Sequence, residues 1–200
     1  VREKEMKKKR LIVGVSGATG IPLTEALLRR LAEMSEVETH LILTEAAGHV
    51  VRQEGKCSLK ELCSLADVVY ENRNLGAGPA SGTFPAAGMV VVPCSMKTVA
   101  GIACGYSDNL LLRAADVMLK ERRKLILVAR ECPLGTVHLK NLLEVSQLGA
   151  VVLPPMLSYY QHPETVEDCT NHVVGKILRQ LDIDTGDLYE WEGIKWSESS

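Results

Sequence analysis

The residue types most suited to chemistry are concentrated in the stretch RAADVMLKERRKLILVARECP, residues 113–133. A helix rich in lysine and arginine leads there into an apolar strand, which ends abruptly at Arg130 and Glu131. Guanidinium and ammonium groups bind phosphate, and here they stand beside a single carboxylate. Ligands of an open parallel sheet lie outside the carboxyl ends of its strands, so we expect Arg130 and Glu131 to face a substrate.

A glycine-rich turn follows the first apolar run, in the sequence GVSGATG. Gly14, Gly17 and Gly20 have a GxxGxxG spacing ahead of a predicted helix. Small residues in such a turn let backbone N–H groups and the helix dipole reach a phosphate. A tight strand-to-helix connection would need glycines as well, so the turn does not identify a nucleotide.

A second turn of this kind is PCSMKT, after the apolar run GMVVVP. Ser95 and Thr98 offer hydroxyl groups there, and Met96 and Lys97 offer backbone donors. Two such turns at neighbouring strand ends suit a mononucleotide, although the two hydroxyls would equally cap the next helix. Cys94 is predicted to be a buried apolar side chain rather than a nucleophile.

Apolar runs of strand length alternate with helical patterns, which is typical of strand–helix units around a parallel sheet. The strands are predicted in RLIVGVS, THLILT, GMVVVP, KLILVA and GAVVLP. Helices are predicted near residues 21–34, 46–54, 108–120, 139–148 and 166–181, the last of them capped by Thr165. The fold class is therefore α/β, a three-layer Rossmann-like (flavodoxin-like) fold with a mostly parallel sheet in a single domain, residues 9–182. Residues 1–8 are assigned to an N-terminal extension and residues 183–200 to a C-terminal tail.

Composition narrows the classes of function. The chain has 200 residues and a formal net charge of -2, which provides no field to gather nucleic acid or an acidic membrane. Its six cysteines form no CxxC pair and no metal-binding spacing, and no apolar run is long enough for a membrane span. We expect a cytoplasmic protein without metal, nucleic-acid partner or membrane association.

Residues 72–85, NRNLGAGPASGTFP, are interpreted either as a mobile flap near the site or as a plain connector.

A short-chain reductase would also carry a glycine turn after its first strand. Such an enzyme normally needs a Tyr-x-x-x-Lys pair as its general acid. No tyrosine of this chain has a lysine four positions later, which argues against a reductase.

Taken together, the motifs resemble the flavin prenyltransferase family, known as UbiX or Pad1. The resemblance covers most of residues 9–181 and is carried by SGATG, PCSMKT, DNLLLRAADVMLKERRKLILVARECP, HLKNLLEVSQLGAVVLPP and YYQHPETVED. It implies transfer of a dimethylallyl group from dimethylallyl phosphate to N5 and C6 of reduced FMN, without a metal. The residues implied to bind FMN are Gly17, Ala18, Thr19, Thr44, Ser95, Met96, Lys97, Thr98 and Arg130.

The same resemblance implies that the donor phosphate is bound by Lys120, Arg130, Tyr160 and Lys176. Breaking the C1–O bond builds negative charge on the leaving phosphate. Fixed cations must therefore replace the magnesium that most prenyl-diphosphate enzymes use. Lys176 stands where an arginine is common in the family, which keeps the charge but loses the bidentate fork.

Further residues are candidates for the chemistry. Glu131 is expected to orient or protonate the phosphate, and Glu54 is a weaker candidate for proton handling, so the catalytic set is Glu131, Lys120 and Glu54. Arg113 and Trp191 are secondary candidates. Without the resemblance, Lys120 would be interpreted as an exposed helix end, Lys176 as part of a solvated face and Tyr160 as a packing residue.

The resemblance also implies partners. The product, prenylated FMN, would serve a UbiD-type decarboxylase, and the chain is expected to form a homo-oligomer, a dodecamer, with active sites between subunits. Two alternatives stay open at this stage. One is an FMN-dependent decarboxylase of the wider flavoprotein group, and the other is a non-catalytic FMN carrier or accessory subunit of a phenolic-acid decarboxylase.

Overall fold

Six parallel strands form the central sheet of the molecule. The structure is a computed structural model that describes residues 8–183. The strands are β1 (Lys9–Val15), β2 (Val37–Leu43), β3 (Val68–Glu71), β4 (Ala86–Cys94), β5 (Lys124–Ala129) and β6 (Val151–Val152). Their order in the sheet is β3-β2-β1-β4-β5-β6, the Rossmann order, so the predicted three-layer α/β class is confirmed.

Helices cover both faces of this sheet. They are α1 (Ile21–Ala32), α2 (Glu45–Glu54), α3 (Leu59–Ser64), α4 (Met96–Ala103), α5 (Leu110–Lys120), α6 (Thr136–Gln147) and α7 (Val166–Gln180). One buried core lies between the sheet and helices α1, α2, α3 and α7, and the other lies under α4, α5 and α6. Strands that are covered on both faces must be nearly all apolar, which is why their runs were conspicuous in the sequence.

Strand β3 was not predicted. Its four residues, VVYE, alternate between half-buried and exposed, as expected at the edge of a sheet. The run is too short and too polar to stand out beside the buried strands. The strand that ends in PCS is therefore the fourth along the chain, although the predicted set of strands made it the third.

Side-chain caps determine where several helices begin. Asn109 accepts from Leu112 N at 3.1 Å, and Thr165 accepts from Asp168 N at 3.1 Å, which confirms the predicted cap of α7. Helix α6 begins at Thr136, one turn before the predicted start, because Gly135 N donates to the ring of His138 and closes a first turn.

The segment of residues 72–85 is tied to its neighbours along much of its length. Arg113 Nε donates to Ala80 O at 3.1 Å, and Arg123 donates to Gly82 O at 2.7 Å and to Phe84 O at 2.6 Å. A short 3₁₀ turn at Gly78–Ala80 buries Pro79. The segment crosses from the carboxyl end of β3 to the amino end of β4, packed against α5.

No helix among residues 8–183 combines the length and the apolar character needed to cross a bilayer. Residues 1–7 and 184–200, and with them Trp191, lie outside the described residues.

Candidate active site at the carboxyl edge of the sheet

The chain leaves β1 and β4 in opposite directions along the sheet, and this switch point is where open α/β sheets bind ligands. Ser16, which is 1% exposed, joins the two connections. Its hydroxyl donates to Pro93 O at 3.0 Å and accepts from Ser95 N at 2.7 Å. The two predicted nucleotide-binding turns are therefore held side by side by one hydroxyl.

A cavity of about 710 Å³ opens at this switch point. Its volume is in the range of small-molecule sites. The cavity wall includes five of the predicted FMN-binding residues, namely Gly17, Thr44, Ser95, Lys97 and Thr98. Residues from both halves of the sheet thus surround one space.

Two helices point their N-termini into this cavity. Thr44 caps α2 by accepting from Ala47 N at 3.1 Å, and Ser95 caps α4 by accepting from Thr98 N at 3.4 Å. Both caps accept a backbone hydrogen bond, and the proton of Thr44 remains able to donate to an anion. Ser95 Oγ also lies 3.1 Å from Thr98 Oγ1, so one of these two hydroxyls donates to the other and the second keeps its proton for a ligand. The positive ends of two helix dipoles, with Lys97 nearby, suit a phosphate group.

Gly17 is required by close packing. A Cβ atom at this position would lie 2.5 Å from the Cβ of Ala46 at the start of α2. No other residue lets the loop after β1 come so near to that helix, and this approach forms one wall of the cavity.

Glu54 occupies the N-terminus of α1. Its Oε2 accepts from Gly20 N at 2.8 Å and from Ile21 N at 3.3 Å, so these two donors of the glycine turn bind a carboxylate rather than a phosphate. Burial raises the pKa of Glu54, but hydrogen bonds from Thr19, Gly20 and Ile21, together with the charge of Arg130, outweigh burial and leave the pKa below its usual value. Glu54 is therefore a carboxylate at neutral pH.

A second, mainly apolar groove of about 500 Å³ lies on the other side of the glycine turn. Thr19, Gly20 and Glu54 form one wall, and residues 155–157 with the first turns of α7 form the other. The charge of Arg130, which follows β5, acts on Glu54, so this guanidinium belongs to the same edge of the sheet. Glu131 is exposed beside it, and its carboxylate accepts from Cys132 N at 3.0 Å.

Tyr160 and Lys176 both interact with His172. Tyr160 lies in a short 3₁₀ turn, Tyr159–Gln161, and its ring packs edge-on against His172 of α7 with centroids 6.4 Å apart. Lys176 lies one turn further along the same helix, exposed to solvent, and its charge acts on His172.

Lys120 lies at the amino end of the strands, opposite the end at which the cavity opens. It ends α5 just before β5 begins, whereas Arg130 follows the end of β5. A strand of this length separates its two ends by about 20 Å. Lys120 pairs with Glu121, and Arg113 on the same helix pairs with Asp116. One copy of the chain therefore does not bring all four predicted phosphate-binding residues together.

Comparison with known proteins shows the family to which the chain belongs. The sequence model of the family called Flavoprotein matches residues 1–186. A protein of Sedimentibacter hydroxybenzoicus, named a probable UbiX-like flavin prenyltransferase, is 47% identical over 186 residues, covering 93% of this chain and 98% of the relative. This chain belongs to the UbiX-like flavin prenyltransferase family.

Solved structures of UbiX-like proteins share the fold closely. AnUbiX (PadA1), in complex with FMN and dimethylallyl pyrophosphate, superposes with a TM-score of 0.91 at 43% identity, covering 94% of this chain and 100% of that one. A protein of Escherichia coli O157:H7, described as a dodecameric FMN-dependent UbiX-like decarboxylase, has a TM-score of 0.90 at 48% identity, covering 92% and 100% of the two chains.

Some lining residues of this UbiX-like site were missed in the sequence. Ser16 stood within the GVSGATG motif, where the glycines are the more conspicuous signal. Asn72 lines the cavity and also binds Leu110 N and Leu111 N, but it follows the unpredicted strand β3. His49 lines the cavity from an exposed position of α2.

Two residues that the resemblance assigns to FMN have structural roles. Met96, 8% exposed, packs into the core beneath α4. Ala18, 9% exposed, donates its backbone N–H to Ser16 O at 2.9 Å. The assignment of Met96 concerned its backbone and stays a prediction, whereas the Ala18 amide is already bonded within the turn.

Proposed function

We propose that this chain is a flavin prenyltransferase that joins the dimethylallyl group of dimethylallyl phosphate to N5 and C6 of reduced FMN. One observation supports this most directly: the cavity at the switch point is lined by five of the residues that the family resemblance assigns to FMN. The cavity lies at the same sheet edge as Arg130, which provides a cation for a second phosphate.

The residues around the cavity fit an FMN molecule. Thr44, Ser95 and Thr98 would bind it through hydroxyl groups, with Lys97 and the N-termini of α2 and α4 balancing the charge of its phosphate. When bound and reduced, FMN supplies the nucleophilic atoms of the reaction. The protein holds the ring system against the sheet edge and excludes water from it.

The donor phosphate is bound by cations at the same edge. Arg130 gives a guanidinium fork for the leaving phosphate, Tyr160 a hydroxyl and Lys176 an ammonium group. These groups stabilise the negative charge that develops as the C1–O bond breaks, and phosphate leaves with the bonding electron pair.

Lys120 would reach this phosphate from a neighbouring copy of the chain, because within one copy it lies at the amino end of β5 and Arg130 at the carboxyl end. We therefore propose a homo-oligomer, a dodecamer like that described for the E. coli relative, with active sites between subunits. Arg113 lies on the same helix as Lys120 and would approach the same neighbour.

The two carboxylates take different roles. Glu54 is ionised and already accepts from Gly20 N and Ile21 N, so it orients the glycine turn and can accept a proton but has none to give. Glu131 lies beside Arg130 and is exposed, which suits a group that meets the departing phosphate. The product would then serve a UbiD-type decarboxylase in the cytoplasm.

The test is an anaerobic incubation of the purified protein with reduced FMN and dimethylallyl phosphate, followed by mass spectrometry of the extracted flavin. The proposal predicts a flavin heavier by one five-carbon isoprenyl unit, with release of inorganic phosphate. A parallel incubation with dimethylallyl pyrophosphate, the compound bound to AnUbiX, establishes which donor is used. An unchanged flavin mass with both donors, beside an active family enzyme, would exclude the transferase.

The alternative of an FMN-dependent decarboxylase is favoured by the description of the E. coli relative. It predicts release of carbon dioxide from an acid substrate with no change in flavin mass. The alternative of an FMN carrier predicts tight flavin binding that is unaffected by substitutions of Arg130, Tyr160 or Lys176. The same mass measurement separates both alternatives from prenyl transfer.

A further inference from the structure

The imidazole of His172 is held between the two ends of the turn that carries Tyr160. Its Nε2 lies 3.0 Å from Ser158 Oγ, and its Nδ1 lies 2.7 Å from the side-chain nitrogen of Gln161. These two partners stand immediately before and within the 3₁₀ turn Tyr159–Gln161. One ring thus fixes the turn from both sides of Tyr160.

The hydrogen bonds require a neutral ring. The amide nitrogen of Gln161 donates to Nδ1, so the ring proton lies on Nε2 and is donated to Ser158 Oγ. His172 is 8% exposed, and burial lowers the pKa of His172, as does the charge of Lys176 to a smaller extent. Around neutral pH the ring therefore has one donor and one acceptor, and both are used.

The same ring also limits the rotation of Tyr160. The two rings meet edge-on at 89° with their centroids 6.4 Å apart. Tyr160 itself is 45% exposed, so enclosure by the protein does little to fix its position. The contact with His172 and the anchored turn both restrict the ring.

We infer that His172 is a positioning residue, which holds the Tyr160 turn against α7 so that the tyrosine hydroxyl and the Lys176 ammonium group face one phosphate. This inference rests on the proposed function, because it takes that phosphate to be the donor's. A preordered pair loses less conformational freedom when the phosphate binds. In this role His172 acts through Tyr160 rather than by direct contact with the donor or the flavin.

Four proteins test the inference: the wild type, His172→Phe, Tyr160→Phe and the double variant. Phenylalanine keeps a ring of similar size but removes both hydrogen bonds. Losing the ordered hydroxyl contact with a charged phosphate is expected to raise the KM for dimethylallyl phosphate about tenfold in each single variant. The affinity for FMN should be unchanged, and the double variant should be no worse than Tyr160→Phe, because His172 acts through that residue.

The matched control is Asn171→Ala, at the exposed neighbouring position of the same helix, which should leave the KM unchanged. Additive effects in the double variant, or a loss of FMN affinity equal to the loss of donor affinity, would show a general structural role and overturn the inference. If His172→Phe does not fold, Ser158→Ala combined with Gln161→Ala removes the same bonds from the other side.

Inorganic phosphate separates this inference from the proposed function. It is titrated into the FMN-loaded protein and its dissociation constant is measured by calorimetry. Even if the wild type makes no prenylated flavin, phosphate should bind it more tightly than it binds His172→Phe or Tyr160→Phe. Equal phosphate affinity in all variants, or no phosphate binding to the wild type, contradicts the inference.

Discussion

At the scale of single residues, Glu54 links the glycine turn to the candidate chemistry. Its carboxylate accepts hydrogen bonds at the N-terminus of α1, and the charge of Arg130 helps to lower its pKa. The sequence presented it only as a possible proton carrier. The structure adds a positional role, because Gly20 N and Ile21 N would lose their acceptor without it.

The two roles of Glu54 can be separated by comparing Glu54→Gln with Glu54→Ala. Glutamine keeps an oxygen that accepts from Gly20 N and Ile21 N, whereas alanine leaves both donors without it. If position is what matters, the glutamine variant retains FMN affinity while alanine weakens it and lowers the unfolding free energy by about 1–3 kcal/mol. These are measured by flavin fluorescence and urea denaturation.

A proton-accepting role gives a different result in the same experiment. The glutamine variant would then bind FMN normally but have a strongly reduced kcat. If alanine and glutamine are equally harmless to stability and to FMN affinity, the positional role is wrong.

The buried His40 on β2 is expected to make stability depend on pH. Burial lowers the pKa of His40, outweighing Glu38, whose carboxylate lies 3.1 Å from Nε2. Between the folded pKa and about 6.5, the unfolded chain binds more protons than the folded one, so stability is lost as the pH falls through that window. His172, also lowered in pKa, contributes with the same sign.

We therefore expect the unfolding free energy to fall between pH 7 and pH 5, as measured by urea denaturation at fixed protein concentration. His40→Gln should reduce this slope, because glutamine cannot take up the proton. His162→Asn, at an exposed position, is the control and should keep the slope. A slope that is identical in the wild type and His40→Gln would assign the pH dependence to other groups.

At the scale of secondary-structure elements, the loop after β1 is shaped by its approach to α2. Gly17→Ala would place a methyl group 2.5 Å from the Cβ of Ala46, and one of the two elements must then move. Because both border the cavity, we expect weaker FMN binding together with a lower melting temperature. Removing the opposing methyl group with Ala46→Gly should relieve the overlap.

The double variant Gly17→Ala/Ala46→Gly is thus predicted to bind FMN more tightly than Gly17→Ala alone, as measured by flavin fluorescence quenching. Ala46→Gly by itself controls for the cost of glycine in a helix, up to about 1 kcal/mol. Failure of the second substitution to restore any affinity would mean that Gly17 is needed for its backbone conformation or for direct ligand contact instead.

Much of this architecture was predictable at the level of elements. The buried strands are continuous apolar runs and were found in the sequence, as was the cap of α7, Thr165. Helices α3 and α4 were not among the predicted helices, and Ser95 was considered only as a possible cap. Strand β3 was missed because an edge strand is covered less and alternates. The occupation of the α1 N-terminus by Glu54 could not be foreseen, since it depends on a contact across 34 residues of sequence.

At the scale of the whole molecule, the placement of the cations is the main result that local patterns could not supply. Lys120 and Arg130 are ten positions apart and were expected to converge, but the strand between them carries them to opposite edges of the sheet. Family resemblance assigns residue roles one by one, whereas the topology shows that one copy of the chain does not bring Lys120 and Arg130 together, which is why we propose a site shared between two copies.

The most direct test of this account is complementation between Lys120→Ala and Arg130→Ala. Each variant alone is expected to make little prenylated flavin from reduced FMN and dimethylallyl phosphate. When the two are dissociated, mixed and reassembled, some sites receive Lys120 from one copy and Arg130 from another, and the heavier flavin should reappear in the mass spectrum. A mixture that stays inactive, while wild type treated in the same way recovers, would contradict a shared site at the carboxyl edge.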